Sequence, residues 1–203
     1  MKILLTGGSG LLGKELQKHL EVDAPSHNKF DILNPPKLEG YDLIINAAAY
    51  TNVEKAEKER QECFDVNVLG TLRMSDIYDD VPLVYISTEY AHNPVNWYSR
   101  TKQIAESIAM DHPAGCLAIR TLFKPNPWPF EKAYIDQWTL GSYVDIIASL
   151  IAKEITEWDK KSKLIYVGHG GRKTMYDLAR ETRPDVKPNS IKESKVKLPS
   201  DYR

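Results

Sequence analysis

Short apolar runs alternate along the chain with longer amphipathic segments. The runs predict β-strands at 3–5, 43–46, 83–87, 116–120 and 164–167. The longer segments predict helices at 11–20, 53–79, 94–111 and 143–158. In the last of these, Val144, Ile147, Ala148, Ile151 and Ile155 recur at helical spacing and form one apolar stripe. This alternation is typical of βαβ units, so we expect an α/β fold with a doubly wound parallel sheet.

The length of 203 residues allows one sizeable core, and we expect a single domain over 1–203. The proline-dense loop 124–129 should resist both helix and strand. It divides the predicted nucleotide-binding core, 1–123, from a reduced C-terminal cap at 124–203 that includes the last core elements. The tail from Arg183 is rich in lysine and proline, so we predict an irregular, largely solvated segment without chemistry.

The charge balance favours a small-molecule partner. The formal net charge is −1, from 27 basic and 28 acidic side chains, which gives no broad electrostatic case for binding nucleic acid or an anionic membrane. Cys63 and Cys116 are too few for a disulfide framework or a tetrahedral zinc site, and we predict no metal site. No leader or membrane-spanning run is visible, so we expect a cytoplasmic protein.

A glycine-rich turn follows the first predicted strand and opens the first predicted helix. Its residues are Gly7, Gly8, Ser9, Gly10, Leu11, Leu12 and Gly13. In this position, glycines allow a tight turn and let the backbone approach a pyrophosphate, while the free N–H groups of a helix N-terminus favour an anion. The turn therefore predicts a dinucleotide site; a strand-to-helix turn that holds no ligand is the alternative.

The segment after that helix should choose between the two dinucleotides. If the second strand ends near Pro25, Ser26, His27 and Lys29 face the ribose and tolerate a 2′-phosphate, which favours NADP(H) slightly over NAD(H). Asp23 is the counter-candidate, because a strand end two residues earlier would make it the ribose-binding acid. Asp31 and Ile32 are candidates for the adenine edge, although Asp31 is also a candidate for a plain capping residue.

Tyr98 and Lys102 stand four residues apart, so both project from one face of a helix. Tyr98 can protonate a carbonyl oxygen during reduction, and we expect Lys102 to lower the pKa of its phenol and to bind the cofactor ribose. Thr88 or Ser87, at the end of the preceding strand, supplies a hydroxyl that orients the carbonyl. The alternative is an amphipathic helix edge with a snorkelling lysine.

Several motifs now occur in one order along the N-terminal two-thirds of the chain. Besides the glycine turn, they are Asn46-Ala47-Ala48-Ala49-Tyr50-Thr51-Asn52-Val53-Glu54-Lys55-Ala56-Glu57, Asn67-Val68-Leu69-Gly70-Thr71, Ser87-Thr88-Glu89-Tyr90, Tyr98-Ser99-Arg100-Thr101-Lys102 and Ile119-Arg120-Thr121-Leu122-Phe123. With them the chain resembles the extended short-chain dehydrogenases, and among these the dTDP-4-dehydrorhamnose reductase family.

The resemblance implies a Rossmann-type fold and an NAD(P)H-dependent reductase of a keto group on a nucleotide-linked deoxysugar. It implies that Ala47, Ala48 and Ala49 line the cofactor cleft, that Asn67 steadies the central helix beside the cofactor, and that Leu122 and Phe123 flank the nicotinamide. It makes Thr88 the hydroxyl of the catalytic triad. It also implies a possible homodimer through the helices that carry 53–79 and 98–102. Tyr50, Glu89 and Trp138 are the candidates for contact with substrate.

The chain departs from this family in the region that faces substrate. Only Glu89 to Trp97 separate Thr88 from Tyr98, and the region after Phe123 is compressed, although 198–203 resembles the family's closing segment. A non-catalytic NAD(P)-binding regulatory subunit is therefore one alternative. A sugar-nucleotide epimerase or dehydratase is another, but dehydratases place an Asp-Glu pair after the threonine, where this chain has Glu89 alone.

Overall fold

The fold is known from a computed structural model that describes residues 1–201, so Tyr202 and Arg203 of the predicted closing segment lie outside the described residues. Its centre is a five-stranded parallel sheet, as the sequence predicts. The strands are β1 (Ile3–Thr6), β2 (Leu43–Asn46), β3 (Leu83–Thr88), β4 (Cys116–Thr121) and β5 (Lys163–Tyr166), and they lie in that order across the sheet. Every residue of β1, β2 and β3 is buried.

Alternate residues of the strands pack on opposite faces of the sheet, which explains the double winding. On one face, Leu5 and Ile45 pack with α1 (Leu11–Leu16) and α6 (Val144–Glu157). On the other face, Leu4 and Ile44 pack with α4 (Gly70–Ile77) and α5 (Trp97–Met110). The apolar stripe predicted on α6 is the surface that is buried.

The long helix predicted at 53–79 is divided into four pieces. They are α2 (Val53–Ala56), α3 (Arg60–Phe64), a π-helical turn (Asp65–Leu69) and α4. The break after α2 coincides with a tertiary contact, because the carboxylate of Glu57 accepts a hydrogen bond from the backbone N–H of Trp97 at 2.7 Å. Helical spacing alone does not reveal such a break.

The helix predicted at 94–111 begins at Trp97 because the preceding residue caps it. Asn96 Oδ1 accepts a hydrogen bond from the backbone N–H of Ser99 at 2.8 Å, and the Ser99 hydroxyl accepts one from Asn96 N at 3.1 Å. This reciprocal capping box fixes the first turn of α5, which carries Tyr98.

The second strand expected before Pro25 is reduced to a single bridge between Asp23 and Leu4. Two backbone hydrogen bonds of 2.8 Å hold it, one from Leu5 N to Asp23 O and one from Asp23 N to Ile3 O. The segment that follows Asp23 thus leaves the sheet beside the glycine turn.

The residues after β4, apart from α6 and β5, form a smaller layer at the carboxyl ends of the central strands. Its short strands pair as Phe123–Lys124 with Ser142–Tyr143, Trp138–Thr139 with Lys173–Thr174, and Lys132–Tyr134 with Lys187–Asn189. The layer also contains α7 (Met175–Arg180) and has its own apolar cluster, which includes Leu122, Trp128, Tyr143 and Leu178.

The tail from Arg183 is largely accessible to solvent, as predicted, but it is not irregular throughout. Lys187–Asn189 is a strand, Ile191–Glu193 is a 3₁₀ turn, and Val186 is 4% exposed. Backbone pairing holds this segment, with Lys187 N donating to Glu131 O at 2.8 Å and Ile135 N donating to Asn189 O at 2.9 Å. The lysine-rich composition predicts exposed side chains, but it carries no information on pairing between backbone groups.

Candidate active site

The glycine-rich turn lies directly after β1 and is closed by a hydrogen bond from Gly10 N to Gly7 O at 2.9 Å. Gly7 has φ of +72°, which an L side chain rarely adopts. A Cβ on Gly13 would lie 2.2 Å from Gly7 O, so α1 packs against the turn at a distance that only glycine allows. Ser9, Gly10 and Leu11 are exposed at the tip.

Gln17 fixes this turn from behind. Its Nε2 donates hydrogen bonds to Gly8 O at 2.8 Å and to Gly13 O at 3.0 Å. Leu12 is 4% exposed and packs in the core, so only its backbone is available to a ligand. Gln17 could not be identified from the sequence, because its position after the glycine motif carries no signal of its own.

The turn fits the phosphates of a dinucleotide. A Cβ on Gly7 would lie 2.7 Å from the backbone of Ala47 and Ala48, and one on Gly8 would lie 2.7 Å from the Cβ of Ala24. The turn is therefore enclosed by the segments that follow β2 and Asp23, and its own surface is backbone. Ala47, Ala48 and Ala49 are half-buried there, where the resemblance implies a cofactor cleft.

The candidates for the adenosine end lie on one exposed segment. Asp23, Ser26, His27 and Lys29 are all exposed, and the Asp23 carboxylate accepts a hydrogen bond from the Tyr41 hydroxyl at 2.5 Å. Burial, followed by the bond to Asp23, raises the pKa of Tyr41 to about 12, so Tyr41 remains the donor.

Asp31 and Ile32 have local partners of their own. Asp31 Oδ1 accepts from the backbone N–H of Leu33 at 2.9 Å, which is the capping alternative. Ile32 is 6% exposed and packs so closely on Gly70 that a Cβ there would lie 2.7 Å from its Cδ1. The side chain of Ile32 thus belongs to the core, and the contact of Asp31 and Ile32 with adenine stays a prediction.

Asn67 lies in the π-helical turn and is 2% exposed. Its Oδ1 accepts from the backbone N–H of Tyr50 at 2.9 Å, and its Nδ2 donates to the hydroxyl of Thr101 at 3.0 Å. The side chain thus joins the segment after β2 to α5 and acts as a brace. Its amide faces these partners, so the structure does not place it as a direct cofactor ligand.

A second brace, which the sequence analysis missed, lies at the ends of β1 and β2. Thr6 Oγ1 donates to Asn46 Oδ1 at 2.8 Å and accepts from the backbone N–H of Ala48 at 3.3 Å. All of these groups are at the carboxyl ends of parallel strands, the edge where such sheets bind ligands.

Thr88 ends β3, and Tyr98 lies in the first turn of α5. The Thr88 side chain favours the ionised phenol of Tyr98 and so acts to lower its pKa. Burial has the larger effect and raises the pKa of Tyr98 to about 12. The phenol is therefore protonated at neutral pH.

Lys102 is 3% exposed and lies one helical turn after Tyr98. Its Nζ donates to Ile86 O at 2.7 Å and lies 4.2 Å from the centroid of the Tyr85 ring. Burial lowers the pKa of Lys102 to about 7, against the opposing effect of Glu106. The expectation that Lys102 lowers the pKa of Tyr98 is wrong for this arrangement, because the ammonium is directed to Ile86 and burial raises the phenol pKa.

Ser87 faces away from Tyr98, which corrects its candidacy as a catalytic hydroxyl. Successive residues of a strand point to opposite sides, and Ser87 Oγ donates to Glu106 Oε2 at 2.6 Å. Glu106 also forms a buried ion pair with Arg120 at 2.6 Å. The Glu106–Arg120 pair was not predicted from the sequence. Two signals could have indicated it: Glu106 follows Lys102 by four residues, and Arg120 lies within a buried strand.

Glu89 is also turned away from the expected substrate region. It is 2% exposed, and its carboxylate accepts from Thr139 Oγ1 at 2.6 Å and from the backbone N–H of Leu140 at 2.9 Å. Glu89 anchors the smaller layer to the sheet, and its expected contact with substrate is wrong.

Tyr50 and Trp138 have partners of their own. The Tyr50 hydroxyl bonds to Glu59 on the surface. The Trp138 ring is stacked by the Arg172 guanidinium, whose carbon lies 4.0 Å from the ring centroid, and Arg172 pairs with Asp201 at 2.6 Å. Both tyrosine and tryptophan are half-buried, and neither borders the cleft described next.

A cleft of about 600 Å³ lies between α2, the smaller layer and the tail. Tyr90 borders it, close enough to Tyr98 for the two phenols to interact electrostatically. Gln137 Nε2 donates to the Tyr90 hydroxyl at 2.9 Å. The remaining lining residues are Val53, Glu54, Lys124, Trp128, Phe130, Glu131, Lys132, Ala133, Tyr134, Met175, Asn189, Ser194, Val196 and Leu198. The tail therefore forms one wall of the cleft.

Leu122 and Phe123 diverge at the end of β4. Leu122 joins the apolar cluster of the smaller layer, whereas Phe123 packs against the cluster shared by α1 and α6.

Among residues 1–201, no helix is long and apolar enough to cross a membrane. Over the same range, no group of three or more His, Cys, Asp or Glu side chains is arranged to hold a metal ion.

Comparison with known proteins identifies the family. Residues 1–124 match the family described as the RmlD substrate binding domain, and the chain belongs to that family. It is 30% identical to a dTDP-4-dehydrorhamnose reductase of Mycolicibacterium smegmatis over 84% of this chain, and it spans 61% of that relative. This agrees with the reductase family predicted from the sequence.

Two solved structures confirm the Rossmann-type fold. A dTDP-4-dehydrorhamnose reductase of Clostridium acetobutylicum superposes with a TM-score of 0.84 at 25% identity, covering 98% of this chain and 88% of the other. Another from Bacillus anthracis, solved in complex with NADP, superposes with a TM-score of 0.80 at 22% identity, covering 95% of this chain and 86% of the other.

Proposed function

We propose that the protein is an NAD(P)H-dependent reductase of a keto group on a nucleotide-linked deoxysugar. The observation that carries this proposal is the arrangement of Thr88, Tyr98 and Lys102 at the carboxyl edge of the sheet that also bears the glycine turn. The family and the names of its reductase members support the same activity.

Each of the three side chains has a distinct task. The nicotinamide cofactor, when bound, supplies the hydride. Tyr98, which is protonated at neutral pH, donates its proton to the carbonyl oxygen. The Thr88 hydroxyl orients that oxygen and stabilises its developing charge. Lys102 binds the cofactor ribose, and with a pKa of about 7 it can return a proton to Tyr98.

The cofactor site consists of the glycine turn, Ala47 to Ala49, Ser26 and Lys102, with Leu122 and Phe123 near the nicotinamide. The Asp23 carboxylate is bonded to Tyr41, and Ser26, His27 and Lys29 are exposed at the position expected for the ribose 2′-position. This favours NADPH over NADH. A comparison of kcat/KM for the two cofactors tests the preference, and a higher value with NADH would contradict it.

The test of activity is oxidation of NADPH in the presence of a dTDP-4-keto-6-deoxy sugar. We expect turnover by the wild type and a loss of at least about 100-fold in kcat for Tyr98→Phe, in line with the loss of a general acid. Binding of NADPH, followed by fluorescence, should change little because the hydroxyl is the only group removed. Normal turnover by Tyr98→Phe would refute the assignment of Tyr98.

A non-catalytic NAD(P)-binding subunit is the second candidate function. It is favoured by the short stretch between Thr88 and Tyr98 and by the compressed region after Phe123. Tight NADPH binding without oxidation by any keto-sugar would support it. A dehydratase is disfavoured, because Glu89 is the acid that follows Thr88 and its carboxylate is bonded to Thr139 and Leu140.

A homodimer and a cytoplasmic location are further parts of the proposal. Leu72 on α4 and Ile104 on α5 are 38% and 44% exposed, and they offer apolar surface on the helices where the family resemblance places a dimer. Light scattering should give the mass of a dimer for the wild type and of a monomer for Ile104→Glu. Cell fractionation tests the location, for which two buried free thiols are the supporting observation.

A further inference from the structure

Lys124 is a cation directed into the cleft from the short strand Phe123–Lys124. The residue is half-buried. Its Nζ lies 5.7 Å from the centroid of the Phe130 ring. Within residues 1–201, the structure gives this ammonium no carboxylate partner and no hydrogen-bond acceptor.

The other charged groups around the cleft differ from Lys124. Glu54 pairs with Lys195 at 3.1 Å, and both groups are well exposed. Glu131 and Lys132 are exposed to solvent. Lys124 thus combines partial burial with the lack of a counter-ion. Burial lowers the pKa of its ammonium, and no neighbouring acid opposes that effect.

An unpaired, partly buried cation costs free energy, and a bound anion would remove that cost. Aromatic rings line the same cleft as the ammonium. Trp128 and Phe130 form an edge-to-face pair with centroids 5.7 Å apart, and Tyr90 and Tyr134 lie on the same lining. Phe130 is 52% exposed and presents a free aromatic surface at the mouth. One cation beside aromatic walls complements a molecule in which an anionic group is joined to a planar ring.

We propose that Lys124 binds the diphosphate of the nucleotide-linked substrate and is a specificity-determining residue of this cleft. The proposal rests on the proposed function, which supplies the substrate class. It assigns the nucleotide to the aromatic part of the cleft and leaves the sugar toward Tyr90 and Tyr98. A charge-assisted hydrogen bond from the ammonium to a phosphate oxygen carries the recognition.

The test is calorimetric titration of the full chain with dTDP, thymidine and inorganic pyrophosphate. For Lys124→Met we expect binding of dTDP to weaken at least tenfold, while binding of thymidine stays within about twofold of the wild type. Lys124→Arg, which keeps the charge, should retain most of the affinity. Lys132→Met is the matched control, because it removes an exposed lysine of the same lining and should change dTDP binding by less than threefold.

Pyrophosphate distinguishes recognition of a nucleotide from recognition of any phosphate. We expect it to bind at least tenfold more weakly than dTDP; equal affinity would overturn the assignment of the aromatic walls to the nucleotide. Equal losses for Lys124→Met and Lys132→Met, or no loss for Lys124→Met, would overturn the assignment of Lys124. Thermal unfolding of Lys124→Met checks the fold, and its Tm should not fall, because the change removes an unpaired charge.

Turnover separates this inference from the proposed function. If the wild type oxidises NADPH with a dTDP-keto-sugar and Lys124→Met raises KM tenfold with little change in kcat, both stand. If KM is unchanged, the inference fails and the reductase remains. If dTDP binds in a Lys124-dependent manner but no keto-sugar is reduced, the proposed function fails and the binding site remains.

Discussion

At Glu89, burial and hydrogen bonding act on the carboxyl pKa in opposite directions. Burial has the larger effect and raises the pKa, whereas the bonds from Thr139 and the backbone of Leu140 lower it, with a net value of about 7. Below about pH 7 the folded protein therefore holds this carboxyl group in its protonated form, so the free energy of unfolding depends on pH.

We predict that Glu89 makes the protein more stable at pH 5 than at pH 8. The unfolded pKa is about 4.3, so between about pH 4.5 and 7 the native state binds the extra proton. Stability therefore falls as pH rises through this window and levels off above it. The difference between pH 5 and pH 8 is on the order of 3 kcal/mol, because roughly two pKa units of the shift fall in this window at about 1.4 kcal/mol per unit.

Denaturant unfolding of the wild type and Glu89→Gln at the two pH values measures this effect. The variant should lose most of the difference between pH 5 and pH 8, because it has no proton to release. An equal pH dependence in both proteins would show that Glu89 does not titrate in this range. The lowered pKa of Lys102, about 7, acts in the opposite direction between about pH 7 and 10.5, so it offsets part of the change above pH 7. It does so equally in both proteins and therefore cancels when the wild type is compared with Glu89→Gln.

The positions of the candidate catalytic residues in the fold were predictable because their signals are short spacings. The four residues from Tyr98 to Lys102 correspond to one helical turn, and Thr88 ends a buried strand. The direction of Ser87 and Glu89 was not predictable in the same way. Residues at the end of a strand alternate sides and then enter a turn, so a shift of one position decides whether a side chain faces the site or the core.

At the scale of elements, the approach of α1 to the glycine turn depends on one missing methyl group. A Cβ on Gly13 would lie 2.2 Å from Gly7 O, whereas a Cβ on Gly10 would meet the same oxygen at 3.2 Å. The two glycines belong to one turn, but only a Cβ on Gly13 requires the helix to move.

We predict that Gly13→Ala destabilises the protein by roughly 2 kcal/mol, the scale of overpacking in a tight interior, and abolishes binding of NADPH. Denaturant unfolding and fluorescence titration measure the two effects. Gly10→Ala is the matched control and should keep a stability close to that of the wild type, because its backbone has a negative φ of −72°. A Gly13→Ala protein that binds NADPH normally would contradict the prediction.

The elements themselves were predictable where a periodic apolar face meets the sheet. The α6 stripe and the five strands of the central sheet follow that rule. The breaks between α2, α3 and the π-helical turn do not, because they depend on contacts from distant parts of the chain. Glu57 binds the N–H of Trp97, and Asn67 binds Tyr50 and Thr101.

At the scale of the whole molecule, the smaller layer is joined to the sheet by buried polar contacts. Glu89 binds Thr139 and Leu140, and Tyr90 accepts from Gln137. Each of these contacts would leave a buried polar group unpaired if the two parts separated. We therefore propose that 1–123 and 124–203 form one cooperative domain.

We predict a single unfolding transition for both parts. Trp158 reports on the cluster of α1 and α6, and Trp128 reports on the smaller layer. Variants that each retain one of these tryptophans should show the same midpoint in denaturant, and that midpoint should match the loss of circular dichroism. Two separate midpoints would show that the layers unfold independently.

The tail was the least predictable part of the molecule. Its lysines and prolines indicate solvent exposure, but its structure comes from parallel backbone pairing with Lys132–Tyr134, more than fifty positions away in the chain. Such pairing leaves little trace in local composition. The cleft wall at Ser194, Val196 and Leu198 was missed for the same reason.

The position of this wall imposes an order on assembly. A chain is synthesised from its amino end, at about 5 to 20 residues per second. The glycine turn, Thr88, Tyr98 and all five central strands thus leave the ribosome before Ser194 to Leu198, by an interval on the order of seconds. During that interval the nascent chain contains the glycine turn and the central strands but lacks one wall of the cleft, so the cleft is completed only when the last residues have been made.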